Sequence, residues 1–176
     1  ADDFKPEMND QIQFEIYKTR ADLFMRKHQA SEALFPLTMA VNKCKSKREK
    51  TRLSFILGQL YLSSNRVDSA LISFKHAISP AALYDVSFNA KLTCAVLGTS
   101  ERDVKLLEKM LRDDKNAAFK DQIFYAKAQL EQSRANVAMA KVFYTMSAFY
   151  STKNKRQKAL SYEKLGDLAY NEKSYL

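Results

Sequence analysis

The sequence predicts an all-α protein, a right-handed α-solenoid of helical hairpins, and three observations predict it. Gly and Pro number only 3 each in 176 residues, which leaves little material for the turns of a β-sheet. Hydrophobic residues make up 46% of the chain, enough for a sizeable core and unlike a disordered composition. The segment LGQLYLSSNRVDSALISFKHA (57–77) sets large and small residues three and four apart on both sides of a polar break, Ser63-Ser64-Asn65. Residues at those spacings share a helix face. Leu57 and Tyr61 on one helix therefore meet Ala70, Phe74 and Ala77 on the next, and Gly58 and Ala70 let the two backbones approach.

This pattern resembles the tetratricopeptide repeat, W-x2-L-G-x2-Y followed by A-x3-F-x2-A, with a period of about 34 residues. Ser54 stands where the repeat has its first aromatic. With Ala70 as marker, equivalent residues are Ala33, Val104 and Ala140, at intervals of 37, 34 and 36 residues. The expected repeats are 14–47, 51–80, 85–114, 121–151 and a partial 159–176 within a domain of 1–176.

The first unit carries Tyr17, Ala21 and Phe24, then Ala33, Leu37 and Ala40. Pro36 falls early in its second helix, where a kink or a late start is expected because proline lacks the N–H. The third unit is degenerate: Phe88, Leu92 and Ala95, then Val104, Glu108 and Leu111. Gly98-Thr99-Ser100 makes its turn, with Gly98 as a stop and Ser100 and Asp103 as a capping box. The fourth has Phe124, Ala128 and Glu131, then Ala140, Tyr144 and Ser147; Glu131 puts a carboxylate where the repeat packs a tyrosine. The fifth shows Tyr162, Leu165, Gly166 and Ala169 and lacks a second helix. Leu165-Gly166 copies Leu57-Gly58, so the expectation is an internal helix in an excerpt of a longer chain.

The chemistry of catalysis is missing from the pattern. His28 and His76 form no ligand-spaced pair, and no P-loop, GxGxxG or GxSxG occurs. Asp113-Asp114 lie in a polar connector and, as neighbours, point apart. Cys44 and Cys94 fit neither a metal motif nor a disulfide framework. The reading is a non-enzyme with no cofactor, no metal and no small-molecule substrate.

Net charge is +9. Basic residues cluster at Lys43, Lys45, Lys47, Arg48, Lys50 and Arg52, and again at Lys153, Lys155, Arg156 and Lys158. Both clusters sit at a junction between repeats, where cations near a helix C-terminus suit its dipole. A basic stripe interleaved with stacking aromatics would point to nucleic acid. Most aromatics here fall at helix-packing positions, so a nucleic-acid-associated repeat ranks below a protein-binding one.

In tetratricopeptide arrays the first helix of each pair lines a concave groove. The resemblance implies groove residues Lys18 and Asp22; Arg52, Phe55 and Gln59; Asn89 and Thr93; Gln122, Tyr125 and Gln129; Glu163 and Asp167. Amides there would pair with an extended peptide's backbone, with Phe55 and Tyr125 as anchors. The subclass that clamps a chaperone's C-terminal carboxylate is matched only at Lys18, and Asp22 would repel a carboxylate.

Further segments resemble one family: KREKTRLSFILGQLY (47–61), SFNAK (87–91), MLRDDKN (110–116), DQIFYA (121–126) and RQKALSY (156–162). They are similar to the tetratricopeptide lipoproteins of Bacteroidetes gliding motility and type IX secretion, the PorW/SprE type. The resemblance implies a scaffold on the periplasmic side of the outer membrane that assembles or couples the secretion machinery through protein partners. It also implies a membrane link only through an anchor outside these residues, since Cys44 lies inside a repeat. The alternative is a peptide-binding adaptor in another pathway.

Overall fold

A computed structural model describes residues 9–98 and 100–172, and every described segment of regular structure is helical. The α-helices are α1 (Asp10–Arg26), α2 (Ala30–Lys43), α3 (Lys47–Ser63), α4 (Val67–Ala77), α5 (Tyr84–Leu97), α6 (Glu101–Arg112), α7 (Lys120–Ser133), α8 (Val137–Tyr150) and α9 (Lys155–Asn171). A 3-10 helix, Asp114–Phe119, joins α6 to α7 where the sequence suggested only a polar connector. It is capped by Asp113, which accepts from the Lys115 N–H, and tied down by buried Asn116, which donates to the Met110 carbonyl. The chain divides into two compact units, Ala1–Lys91 and Leu92–Leu176, the division falling within α5.

In the first unit α1 packs on α2, α2 on α3 and α3 on α4. Its core joins Phe14, Ala21, Leu37, Ala40, Val41, Cys44, Leu53 and Leu57. In the second unit α6 packs on α7, α7 on α8, and α8 and α7 on α9. One core cluster there is Ala128, Ala140, Tyr144 and Leu168, with Tyr125, Val137, Phe143 and Leu165 against it.

Three hairpin turns share one geometry. His28, Asn65 and Ala135 each take a left-handed φ of 56 to 59°. In each turn the following N–H reaches back five residues: Gln29 to Phe24 O, Arg66 to Tyr61 O and Asn136 to Glu131 O, at 2.8 to 2.9 Å. These are the 6→1 bonds of a Schellman stop, which satisfy carbonyls a helix end would otherwise leave bare. The next helix then starts identically, with Ala33, Ala70 and Ala140 donating back to Gln29, Arg66 and Asn136. All three alanines are completely buried, because only a small side chain fits where the second helix crosses the first.

Gly58 shows how close that crossing is. A methyl group added there would lie 2.8 to 2.9 Å from the Phe74 ring. Gly98 serves a different purpose from the left-handed stop: no glycine has a positive φ among the described residues, and a methyl at Gly98 would collide with the Asp103 carboxylate at 2.3 to 2.9 Å. Asp103 accepts from the Ser100 backbone N–H at 3.0 Å and from its hydroxyl, the expected cap. Thr99 of that turn lies outside the described residues.

Three expectations change. α2 begins at Ala30 and runs through Pro36, so there is no late start; buried Pro36 sits amid Ala33, Leu37 and Ala40, and packing holds the helix across the missing N–H. In α6 the buried residues are Leu107 and Met110, while Val104, Glu108 and Leu111 are half-buried. The register there is one residue earlier, which leaves Glu108 free to meet Lys127 and Arg112. In α9, Tyr162 and Gly166 are exposed rather than packed.

Candidate functional site

Four groove positions of the first unit, Lys18, Asp22, Arg52 and Gln59, line two cavities between α1 and α3. A cavity of about 350 Å³ is lined by Lys18, Thr19, Asp22 and Met25 from α1, Leu37 from α2, and Glu49, Arg52, Leu53 and Ile56 from α3. A second cavity of about 330 Å³ shares Met25 and Ile56 with the first and adds His28, Ala30, Gln59 and Leu60. Lys18, Asp22 and Arg52 therefore line the first cavity and Gln59 the second, the two being neighbours through Met25 and Ile56. The floor of the first is apolar because Leu37, Leu53 and Ile56 belong to the unit's core or pack on it.

Charge on the rim is mostly internally matched. The Lys18 ammonium lies 3.0 Å from both Glu15 and Glu49, which hold its pKa above the usual lysine value. Asp22 is paired with Arg26 at 2.6 Å, so the carboxylate expected to repel an anionic ligand already has a cation beside it. Arg52 is exposed and has no hydrogen-bond or ion-pair partner among the described residues. An unpaired guanidinium over an apolar floor presents a planar fork of donors for a carboxylate. Leu53 and Glu49 escaped the sequence reading because the repeat pattern treats them as packing or helix-start positions.

The two aromatic anchors are committed elsewhere. Phe55 meets the Phe74 ring edge-on at 5.4 Å, and Tyr125 meets Tyr144 edge-on at 5.2 Å. Burial also pushes the Tyr125 phenol above its usual pKa. Each is a half-buried wall of its own hairpin, and neither lines the α1/α3 cavities. Asn89, half-buried on α5 in the first unit, donates to the Asp85 carbonyl at 2.8 Å, and Thr93, also half-buried, lies on α5 in the second. Gln122 and Gln129 are half-buried on α7. Glu163 and Asp167 are exposed on α9, with Lys164 2.9 Å from Asp167.

The basic clusters are placed differently from the expectation. Lys43 ends α2 and pairs with Asp10 at 2.7 Å. Lys47, Arg48 and Lys50 instead open α3, after the Ser46 cap, and Lys155, Arg156 and Lys158 open α9, after the Asn154 cap. Lys45 and Lys153 precede those caps. These cations stand at the positive end of a helix dipole, so the dipole does not account for them. The chain reverses one turn earlier than the charge pattern implied.

The sequence reading also missed a polar joint in the second unit. Ser147 Oγ donates to the Asp121 carbonyl at 2.7 Å, and Ser161 Oγ lies 2.8 Å from Ser147 Oγ. Asp121 Oδ2 accepts from Asn154 at 3.0 Å and from Ser151 at 3.3 Å. These buried groups tie α7, α8 and the start of α9 together, and only one half of the Asp121 carboxylate is matched, since Oδ1 has no protein partner. The repeat pattern marked Ser147 as a packing position, but Ser151, Ser161 and Asp121 carried no signal, because lone polar residues on a helix look like surface in a sequence.

No family model matches the sequence, and no curated protein matches it either. Among the described residues no helix is long and apolar enough to cross a membrane, and no group of three or more His, Cys, Asp and Glu could hold a metal ion. Cys44 and Cys94 are both buried and form no disulfide among the described residues; burial pushes the Cys44 thiol up.

Proposed function

We propose that this protein is a non-enzymatic scaffold, a solenoid of tetratricopeptide-type hairpins that holds an extended segment of a protein partner along the α1/α3 cavities. The observation that carries the reading is the pairing of an apolar floor with an Arg52 guanidinium that has no partner among the described residues. A segment with one large apolar side chain and a nearby carboxylate complements both. The three identical hairpin turns support the repeat architecture. The segments from Lys47 onward support a partner within periplasmic type IX secretion and gliding machinery.

Titration of purified secretion components, and of short acidic-apolar peptides, tests this. Arg52→Glu is expected to weaken binding at least tenfold, since a hydrogen bond to a charged group contributes about 1.5–3 kcal/mol. Its melting temperature is expected to stay unchanged because Arg52 is exposed. Unchanged affinity in Arg52→Glu would remove the groove. Binding of the peptides without any secretion component would leave an adaptor of another pathway. Affinity that collapses steeply with salt would favour a polyanion instead.

A further inference from the structure

A further cavity, of about 240 Å³, lies in the first unit between α2, α3 and α4 and shares no residue with the two between α1 and α3. Buried Val41 and Leu57 give it apolar walls, and Asn42, Ile72 and His76 stand exposed at its edge. Ser54 and Ser73 also line it, and both are buried. At the equivalent positions of the α7/α8 hairpin stand Phe124 and Phe143, whose rings stack at 6.3 Å. Two serines in place of two phenylalanines leave a cavity where the other hairpin carries a stacked pair. The two serines differ. Ser73 Oγ donates to the Ser69 carbonyl at 2.9 Å, as buried Ser151 and Ser161 donate to the Ser147 and Gln157 carbonyls. Ser54 is only 1% exposed, yet its Oγ has no hydrogen-bond partner among the described residues. A buried hydroxyl without a partner is destabilising, and a ligand that pairs with it recovers that loss.

We infer that this cavity binds a small planar aromatic molecule bearing an N–H or O–H, its ring against Val41 and Leu57 and its polar hydrogen donated to Ser54 Oγ. The serine oxygen has the lone pairs to accept it. A cavity of about 150 Å³ already accepts benzene, so this one has room for a two-ring molecule such as indole. The ligand is a free molecule rather than a partner's side chain. Ile72 is the one exposed apolar residue among those lining the cavity, and a protein interface needs an apolar surround for its anchor. The inference does not rest on the α1/α3 cavities.

The probes are indole and N-methylindole, which share a ring system and differ in the N–H, titrated to millimolar concentration into the isotope-labelled protein and followed by NMR. Saturable shifts of the Leu57, Ser69 and Ile72 amides are expected with indole. N-methylindole is expected to bind the parent protein at least threefold more weakly, the loss of one neutral hydrogen bond. In Ser54→Ala the two probes are expected to bind alike. That variant keeps the cavity and removes only a hydroxyl without a partner, so its melting temperature is expected to hold. In Ser54→Phe the new ring occupies the cavity, and the indole shifts are expected to vanish. No saturable shift with indole, equal binding of the two probes by the parent, or indole shifts that survive in folded Ser54→Phe overturns the proposal. So does binding of N-acetyltryptophanamide at least tenfold tighter than indole, which would make the ring a partner's side chain.

Discussion

The α3/α4 and α7/α8 hairpins are the same object built 70 residues apart with different chemistry at the joint. Gly58 under Phe74 becomes Ala128 in the core cluster with Tyr144. Tyr61, whose ring lies under the Arg66 guanidinium at 4.9 Å, becomes Glu131, which accepts from Asn136 at 2.7 Å. Ala77 becomes Ser147, bonded to the Asp121 carbonyl. Both hairpins keep the left-handed turn residue and the edge-on pair of aromatic rings. The difference teaches that the crossing specifies size, and that polarity is tolerated wherever a partner is in reach. Tyr144 is fully buried, yet its hydroxyl donates to Gln132 at 2.9 Å, and burial pushes the phenol well above its usual range. A buried polar group with a partner costs little, and one without costs a few kcal/mol.

The largest test of this equivalence removes the ring. Phe74→Ala and Tyr144→Ala should each lower stability by about 3–5 kcal/mol, the usual loss for a large aromatic in a closed core. Urea unfolding followed by circular dichroism measures it. A loss below about 1 kcal/mol in either would show that its hairpin does not depend on the ring as proposed. Next in size is the residue under the ring. Gly58→Ala forces a methyl into the Phe74 ring, which is itself held by Phe55, and overpacking of this kind costs about 1–3 kcal/mol. The reciprocal Ala128→Gly should also destabilise, by about 1 kcal/mol from helix propensity alone. If Gly58→Ala were neutral, the Phe74 ring would have room that its burial denies.

Small and aromatic residues at helical spacing were the legible part of the chain, because close crossing demands them and little else does. Ala33, Ala70, Ala140, Phe74 and Tyr144 stand out in the sequence for that reason and are buried in the structure. α6 was misread by one residue because Val104, Leu107, Met110 and Leu111 all suit a helix face, and only the cap at Ser100 and Asp103 fixes which of them turns inward. Of the groove residues, the resemblance to the repeat pointed to Lys18, Asp22 and Arg52, and all three line the cavity between α1 and α3. That Asp22 is matched by Arg26 and that Arg52 is left unmatched among the described residues depends on rotamers, which no spacing encodes. Phe55 and Tyr125 look like free aromatics in the sequence because their edge-on partners lie 19 residues further along, across the turn.

The smallest expected effect is the most discriminating, because it changes sign. Gly166 lies in the interior of α9, a 17-residue helix, at the position that Gly58 holds in α3. Glycine there carries its full backbone-entropy penalty, about 0.8–1.0 kcal/mol relative to alanine in an exposed helix interior. A methyl at Gly58 meets the Phe74 ring, so the steric cost outweighs the propensity gain. A methyl at Gly166 meets nothing within 4 Å, so the gain stands alone. Gly166→Ala should therefore stabilise the protein by somewhat under about 1 kcal/mol and raise the melting temperature by a few degrees, while the same substitution at Gly58 lowers it. Thermal melts of the two single variants beside the parent protein decide the matter. A fall in melting temperature for Gly166→Ala would mean that its face is covered in solution, and the contrast between the closed α3 and the open α9 would be lost.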